Sequence, residues 1–308
     1  MPVRDEAGTI GDTVRRVLAQ APDGVPVEVL VVDDGSIDDT ASVAREAGAV
    51  VLGAGTPGVP GNPAAARNRG AAASTGDPII FLDADCTPAA GWLEAILSAH
   101  AAGEVIVGGS LDLPSGLSWS ARCDYYCGWY HVHSGARRGP VPNHPPGNLS
   151  VRRAAFLSTS GFVERQPIAF AHEELAWQAE LQRSGHRILF VPEAVVFHRN
   201  RPGFGNLLRR NYRWAYSSIE SKADSQAARM AWLYRYPRVL IALSVPIAIA
   251  QAGYILMCWL RVGRLEPLLM FPAVVAARFA YAAGMVVGGV RWLRERGGPA
   301  VDRRPRWE

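Results

Sequence analysis

Residues 78–86 read Pro-Ile-Ile-Phe-Leu-Asp-Ala-Asp-Cys, an apolar run that ends in two carboxylates, Asp83 and Asp85. Such a run predicts a buried strand of a parallel sheet. Its acidic end then lies at the carboxyl edge of the sheet, where open α/β folds bind ligands. Carboxylates two residues apart project to the same side of an extended backbone, and paired oxygen donors suit Mg²⁺ or Mn²⁺. The alternative is a capped turn in which Asp85 only starts the following helix.

The segments around this strand alternate between helical and extended patterns. Apolar residues recur at helical spacing over residues 10–18, and a β-branched run follows at 27–32. A second helix is expected over residues 38–48, an extended run at 49–52, and a third helix from Ala64 after a Gly/Pro-rich loop. This order predicts an α/β domain with a mostly parallel sheet.

A second acidic strand end, Asp33-Asp34-Gly35-Ser36, follows the run at 27–32. A carboxylate there can accept hydrogen bonds from a nucleobase imide or a ribose hydroxyl. The alternative is an ordinary turn with Ser36 as a helix cap. Arg67 lies near the start of the third helix, where it would meet a base or a phosphate, or else be solvated.

Three motifs occur in order along the chain: residues 31–36 (VVDDGS), 66–70 (ARNRG) and 81–85 (FLDAD). Together they resemble the inverting family 2 glycosyltransferases of the GT-A fold, and the resemblance covers roughly residues 2–215. Further segments that look like the family are 147–153 (GNLSVRR), 172–175 (HEEL), 185–192 (GHRILFVP), 197–198 (FH) and 209–214 (RRNYRW). The resemblance implies an enzyme that takes a sugar from a nucleoside-diphosphate sugar donor.

The resemblance also implies roles for individual residues. Asp85, Asp83 and His198 would hold a divalent cofactor, Mg²⁺ or Mn²⁺. Glu174 would be the general base, with Glu173 beside it, although the family usually has aspartate at the position of Glu174 and often another at Ala176. The nucleotide sugar would contact Pro2, Arg4, Glu6, Asp33, Asp34, Arg67, Asp83, Ala84, Arg210, Arg213 and Trp214. Arg210 stands where the family has glutamine, and a basic amphipathic helix on a membrane surface is the alternative for its segment.

The balance of charges indicates the kind of partner. The chain has 32 Lys and Arg residues against 28 Asp and Glu, and the arginines are concentrated late in the sequence. This asymmetry favours an anionic lipid surface over a nucleic acid, so no nucleic-acid partner is expected. The four cysteines are too few and too scattered for a disulfide framework, which favours a reducing compartment.

The aromatic-rich region 113–146 is expected to form a wall on the acceptor side. It contains Cys123, Cys127, His131 and His133 on a short span, so a zinc site has to be considered. The spacing matches none of the usual structural zinc patterns, and cysteines four residues apart also suit one apolar face of a helix.

The C-terminal part of the chain is apolar. No charge interrupts the run from Val239 to Leu260, which is long enough to span a bilayer. A second run, Leu268–Val290, carries Arg278 at its centre, at a cost of about 3 kcal/mol on insertion scales. Pairing with a carboxylate, or a re-entrant or interfacial path, would relieve this cost. A buried helical hairpin of a soluble protein is the alternative.

We therefore predict four regions. Residues 1–200 form a GT-A domain, 201–237 amphipathic interface helices, 238–292 a transmembrane hairpin and 293–308 a basic cytoplasmic tail. Six arginines between residues 291 and 306 place both ends of the hairpin in the cytoplasm by the positive-inside rule.

The beginning of the chain departs from the resembling family. The loop that follows the family's first strand matches Pro2–Glu6, yet only Met1 precedes it. We expect the true start to lie about 5 to 15 residues upstream, which is a usual strand length plus a short lead. The alternatives are a poorly folding protein or a different strand order, with residues 27–32 paired directly beside 79–82.

The sequence thus predicts an inverting, metal-dependent glycosyltransferase at the cytoplasmic face of the inner membrane. Its expected acceptor is lipid-linked, such as a polyprenyl phosphate or a growing glycolipid, or another membrane-associated glycan. The alternative from another class is a non-catalytic nucleotide-sugar-binding or scaffold protein, motivated by the residues found at Glu174 and Arg210.

Overall fold

The computed structural model describes residues 1–57, 59, 61–164, 172–224 and 231–295. The predicted tail from residue 296 onward lies outside the described residues. The strands are β1 Pro2–Val3, β2 Leu30–Asp33, β3 Val50–Gly53, β4 Ile79–Leu82, β5 Cys86–Pro88, β6 Ile106–Asp112, β7 Gly139–Val141, β8 Asn148–Val151 and β9 Ile188–His198. The helices are α1 Ile10–Leu18, α2 Thr40–Glu46, α3 Pro63–Ala73, α4 Trp92–Ala101, α5 Trp119–Gly128, α6 Arg153–Leu157, α7 Leu175–Arg183, α8 Phe204–Asp224, α9 Ala231–Tyr234, α10 Pro237–Ala242, α11 Ser244–Arg261 and α12 Glu266–Glu295.

Two sheets form the body of the protein, with helices α1 to α8 around them. The first has the order β1-β2-β3, with parallel pairs throughout. The second has the order β4-β8-β6-β9-β5, with β7 paired to β9. In this second sheet β6 and β9 are parallel, whereas the other pairs are antiparallel. The predicted α/β class is confirmed, and parallel pairing lies in the first sheet and between β6 and β9.

The strand Ile79–Leu82 is buried as predicted, but its partner β8 runs antiparallel to it. A continuous apolar run indicates only that a strand is buried on both faces. An antiparallel strand in a sheet that is covered on both sides has the same pattern, so the run does not give the strand direction. After β4 the chain turns at Ala84–Asp85 and enters β5, so Asp85 does not start a helix. The two acids therefore stand on a turn and not on one extended strand.

Apolar side chains cover both faces of the second sheet. On one face, Trp92 and Ile96 of α4 pack in the core that includes α1. On the other, Phe81 of β4 packs in an aromatic cluster with Phe156, Phe162 and Trp177. This second cluster fixes the segments that carry the candidate site, because Phe162 and Trp177 flank the turn leading into α7.

The beginning of the chain forms a short strand. Pro2 and Val3 pair with Val32 and Asp33, and the Met1 ammonium donates a hydrogen bond of 2.9 Å to the carbonyl oxygen of Leu30. Burial lowers the pKa of this ammonium to about 5. In the described part of the chain β2 does not pair with β4, and a cavity of about 350 Å³ is lined by residues of both. Direct pairing of residues 27–32 beside 79–82 is thus not observed, and the longer first strand stays a prediction.

Helices α11 and α12 are long and apolar enough to cross a membrane, although the core helices of soluble proteins pass the same test of length and composition. Helix α12 approaches α8 very closely. A Cβ atom at Gly284 would overlap the carbonyl oxygen of Tyr212, and one at Gly288 would lie 2.7 Å from that of Tyr216. The two glycines therefore allow backbone contact between α8 and α12.

This close approach predicts opposite effects of the same substitution in two helices. Gly284→Ala should lower the midpoint of thermal unfolding, because the added methyl group meets the backbone of α8. Gly253→Ala in α11 is the matched control, since its Cβ meets nothing within 4 Å. There the gain in helix propensity, about 1 kcal/mol, should raise the midpoint. Both variants are compared with the parent by differential scanning fluorimetry in one detergent, and a stabilised Gly284→Ala would contradict the packing.

Candidate active site

A cavity of about 510 Å³ lies at the ends of β4 and β9. Acidic, basic and aromatic side chains line it, including Asp83, Asp85, Asp124, Glu173, Glu174, Arg67, Arg199, Arg201, Arg209, Arg210, Arg213, Trp129, Trp214 and His198. The cavity thus combines groups that bind cations with groups that bind anions.

Arg67 of α3 is the buried centre of the acidic side. Its Nη2 donates to Asp83 Oδ1 over 2.6 Å, and its Nη1 donates to Glu173 Oε1 over 2.7 Å. Its guanidinium also lies 5.5 Å from the ring centroid of Phe162. Burial disfavours the charge, but the carboxylates of Asp83 and Glu173 outweigh it and raise the pKa of Arg67 above its ordinary value. Arg67 lines the cavity, but two of its nitrogen donors are already held by acids.

Glu173 and Glu174 lie in the turn before α7. His172, which precedes this turn, has a φ of 62°. Each glutamate is 5% exposed, and burial raises the pKa of both to about 7. Glu173 is neutralised by Arg67. Glu174 Oε1 lies 3.8 Å from Nδ1 of His172, whose pKa burial lowers to about 3, so that this imidazole is neutral. The two pKa values are alike, but the Glu173 carboxylate is engaged by Arg67, so Glu174 is the better placed of the two to take a proton from a bound substrate.

A second group, across the cavity, has the donors of a metal site. Ligand atoms of Asp85, Cys86 and His198 lie within 4.8 Å of one another, and this is the one such group among the described residues. His198 Nε2 is 3.7 Å from Asp85 Oδ2. The pairing of β5 with β9 places Cys86 directly opposite His198. The predicted ligands Asp85 and His198 are thus brought together, whereas Asp83 is held by Arg67 outside the group.

A chain of hydrogen bonds holds His198 through Nδ1, the ring nitrogen that does not face Asp85. Its Nδ1 lies 3.0 Å from Asn200 Oδ1, and Asn200 Nδ2 donates to Asp124 Oδ2 over 2.7 Å. Asp124 Oδ1 pairs with Arg210 Nη2 over 2.5 Å. A proton on Nδ1 that is donated to Asn200 leaves the lone pair of Nε2 facing Asp85, which is how metal-binding histidines are oriented. The donor set and its support therefore fit a divalent ion.

Helix α8 carries residues 209–214, which the sequence assigns to nucleotide-sugar binding, and it supplies a basic and aromatic wall of the cavity. The Arg210 guanidinium lies 4.4 Å from the ring centroid of Trp214 and 5.9 Å from that of Trp129. Arg210 is thus occupied by Asp124 and by two indole rings. Arg213 and Trp214 line the cavity beside it, with the exposed Arg209 on the same helix.

The predicted nucleotide-binding residues of the first sheet lie outside the walls of this cavity. Asp33 accepts hydrogen bonds from the backbone and hydroxyl of Ser36, which agrees with a turn, but Ser36 does not cap a helix, because α2 begins at Thr40 with Asp39 at its N-cap. Asp34 is buried, which raises its pKa, and the loop at Gly55 and Gly61 passes so close that a Cβ there would clash with it. Pro2 pairs in β1, Arg4 donates to the carbonyl oxygens of Asp34 and Val59, Glu6 accepts from Thr9, and Ala84 is buried in the turn.

The alternative zinc site is not assembled. Cys123 and Cys127 lie on the apolar face of α5 and pack against α8, α11 and α12. His133 stacks on Trp259, with ring centroids 4.4 Å apart. No metal group of the described residues includes any of these side chains.

Three residues of the site were missed by sequence reasoning: Cys86, Asp124 and Asn200. Cys86 directly follows the acidic turn, and Asn200 is two residues from His198, so their position in the sequence was the available signal. Asp124 lies inside an aromatic-rich helix and gives no local signal, because its partners, Asn200 and Arg210, are distant in sequence.

Comparisons with known proteins place this geometry in a family. A model described as glycosyl transferase family 2 matches residues 1–157. Glycosyltransferase AglE of Haloferax volcanii is 28% identical, with 71% of this chain and 72% of the relative covered. The glucosyl-dolichyl phosphate glucuronosyltransferase of the same organism is 25% identical, with 68% and 71% covered.

A solved structure extends the likeness into the C-terminal helices. The mannosyltransferase PcManGT from Pyrobaculum calidifontis, in complex with GDP-Man and Mn²⁺, has a TM-score of 0.58 and 20% identity. The match covers 96% of this chain and 86% of that one. At this identity the likeness shows the fold alone, which is of the GT-A type. Since the family match spans more than half of the chain and includes the acidic turn, this protein belongs to glycosyl transferase family 2 and is a glycosyl-transfer enzyme.

Proposed function

We propose that the enzyme transfers a sugar, with inversion and with the help of a divalent ion, from a nucleoside-diphosphate sugar to an acceptor at a membrane surface. The observation that carries this proposal is the position of Glu174. It is a buried carboxylate with a pKa of about 7, and it shares one cavity with the group of Asp85 and His198.

Inverting transfer is a single displacement, so a base must take the proton of the acceptor hydroxyl on the side opposite the leaving diphosphate. Glu174 suits this role because its pKa lies near the working pH and no arginine of the described residues forms a salt bridge with it. Glu173 cannot take the same role while it accepts from Arg67. We assign Glu173 to positioning, since it fixes Arg67 and through Arg67 the carboxylate of Asp83.

A bound Mg²⁺ or Mn²⁺ would be held by Asp85 and His198 and would offset the charge of the leaving diphosphate. PcManGT contains Mn²⁺ and GDP-Man, which supports a divalent ion and a nucleotide-sugar donor here. The chain's own contribution is the basic side of the cavity, where Arg213 and Arg209 lie on one face of α8. Guanidinium groups bind phosphate oxygens in pairs, and this suits them to the donor diphosphate.

We propose a lipid-linked acceptor that presents a sugar hydroxyl, such as a glycosylated polyprenyl phosphate or another glycolipid, at the cytoplasmic face. Two observations support it: the apolar helices α11 and α12, and the dolichyl phosphate in the name of one relative. A non-catalytic binding protein is not favoured, since the family is one of transferases and both positions of the turn before α7 carry a carboxylate.

Replacement of the base tests the central assignment. Glu174→Gln should bind the donor normally but lose about 10² to 10⁴ in kcat, because an amide cannot take the acceptor proton. Calorimetry with nucleotide sugars gives donor binding, and radiolabelled transfer gives kcat. Glu174→Asp, which restores the residue usual in the family, is the matched control and should retain more activity. An unchanged kcat of Glu174→Gln at saturating acceptor would place the base elsewhere, or indicate an anionic acceptor that needs none.

The pKa of Glu174 sets the pH dependence. Below about pH 7 the carboxyl is protonated and cannot accept a proton, so kcat should fall with decreasing pH and level off above neutrality. The profile of Glu174→Gln should lack this limb. A parent enzyme whose kcat is constant from weakly acidic to neutral pH would contradict the assignment.

The metal group is tested by Asp85→Asn. This change removes a charged oxygen ligand without changing the size of the side chain, so Mn²⁺ binding and Mn²⁺-dependent donor binding should be lost while the fold is kept. Electron paramagnetic resonance of Mn²⁺ measures the first and calorimetry the second. The exposed Asp12→Asn on α1 is the control for the loss of one negative charge. Normal Mn²⁺ affinity in Asp85→Asn would refute the ligand assignment.

A further inference from the structure

The catalytic body, by which we mean the two sheets and helices α1 to α8, contacts α12 along most of its length. At the start of α12, Glu266 pairs with Arg122 and accepts a hydrogen bond of 2.7 Å from Tyr126, both on α5. At its middle, Arg278 donates to Asn211 of α8. Near its end, the Arg291 guanidinium lies 4.7 Å from the ring centroid of Tyr216, also on α8. From Glu266 to Arg291 the helix advances about 38 Å.

Helix α11 also contacts the catalytic body at both of its ends. Ala248, near its start, packs in one cluster with Ala215 and Ile219 of α8. Trp259, near its end, donates a hydrogen bond of 2.8 Å from its indole nitrogen to the carbonyl oxygen of Tyr126 on α5. Both ends of both apolar helices are therefore attached to the catalytic body.

This packing conflicts with a hairpin that crosses the bilayer. The hydrocarbon core is about 30 Å thick, so an upright α12 would carry α5 and α8 into it. Those helices hold Asp124 and Arg210 in the candidate active site, and α8 also bears the exposed Arg209 and Arg213. Charged side chains at that depth are strongly disfavoured. Arg278, at the centre of α12, is buried against Asn211, Cys127 and Tyr281, so protein contacts and not lipid surround its charge.

We propose that α10, α11 and α12 form a platform that lies in the plane of the membrane surface and does not cross it. The catalytic body and the turn between α11 and α12 are then on the same side of the bilayer. The partner is a lipid leaflet with anionic headgroups. The choice of lipid follows the membrane-associated acceptor proposed above, and the tests below measure topology and binding, independent of sugar transfer.

The outward face of the platform fits this partner. Large apolar side chains are exposed along its helices and turns: Val239, Leu243, Val245, Ile249, Met257, Leu260, Leu265, Leu268, Leu269, Phe279, Val287 and Val290. Exposed arginines flank them, with Arg235 and Arg238 at one end of α11 and Arg261 and Arg264 at the other. An apolar face flanked by cations matches the interior and the headgroups of an anionic leaflet. A second copy of the chain that presented the same face would bring arginines against arginines.

The platform also places the cavity near the membrane. Helix α5 supplies Asp124 and Gly128 to the cavity wall and packs directly on Trp259 of α11. An acceptor whose lipid stays in the leaflet would thus approach the cavity, which Glu174 also lines, next to the wall formed by α5. Removal of the platform would uncover the apolar faces of α5 and α8, so point substitutions in the full chain are the better test.

The first test asks on which side of the membrane the α11–α12 turn lies. In a Cys258→Ser background, Leu265→Cys reports the turn and Ser98→Cys, exposed on α4, reports the catalytic body. A membrane-impermeant maleimide is applied to inverted membrane vesicles and to intact spheroplasts. We expect both cysteines to react in the same preparation. Reaction of the two in opposite preparations would establish a spanning hairpin and overturn the proposal.

The second test measures depth and charge. A polarity-sensitive fluorophore at Ile249→Cys, Leu269→Cys or Phe279→Cys, quenched by spin-labelled lipids, should lie at one shallow depth, about 5–10 Å below the headgroups. Arg235→Glu and Arg238→Glu should each weaken binding to phosphatidylserine-containing vesicles by roughly fivefold or more, and Arg183→Glu on α7 should not. A labelled site at the bilayer centre would overturn the proposal. So would a full-length chain that dimerises in solution and does not bind vesicles.

Discussion

The site depends on the buried guanidinium of Arg67. It joins three segments that are far apart in the chain: its own helix α3, the acidic turn after β4 and the turn before α7. Loss of one partner from such a buried pair typically costs about 3–5 kcal/mol, because the remaining charge is left uncompensated. The arrangement also separates the two glutamates, since it neutralises Glu173 and leaves Glu174 to exchange a proton.

A second polar chain links the metal group to the rest of the molecule. His198 is held by Asn200, Asn200 by Asp124, and Asp124 by Arg210. One residue beyond Arg210, Asn211 accepts from Arg278 of α12. The apolar helices are thus connected, through side chains of α5 and α8, to the histidine that faces Asp85. This continuity explains why an arginine in the family's glutamine position is compatible with the site, because Arg210 here supports Asp124.

The same contacts support the proposal that the apolar helices lie along the membrane surface. A helix that leaves the catalytic body is free to cross a bilayer, whereas α12 is held by a salt bridge at its start, by a buried arginine at its middle and by glycine contacts toward its end. Hydropathy depends only on composition. It is equally high for a spanning helix and for a helix that lies along a protein surface with one face in lipid.

The sequence by itself determined the α/β class, the family, the buried strand 79–82 and the acids that end it. It also named Asp85, His198 and Glu174, because strand ends and motif order are local features. Only the tertiary structure decided that β4 has an antiparallel partner, that Arg67 and Arg210 are held by acids, and that Asp124 and Asn200 support His198. It also decided that both apolar helices pack against α5 and α8 of the catalytic body. A local pattern reports that a side chain is buried or that a strand ends, whereas the partner of that side chain or strand is chosen by contacts between residues far apart in the chain.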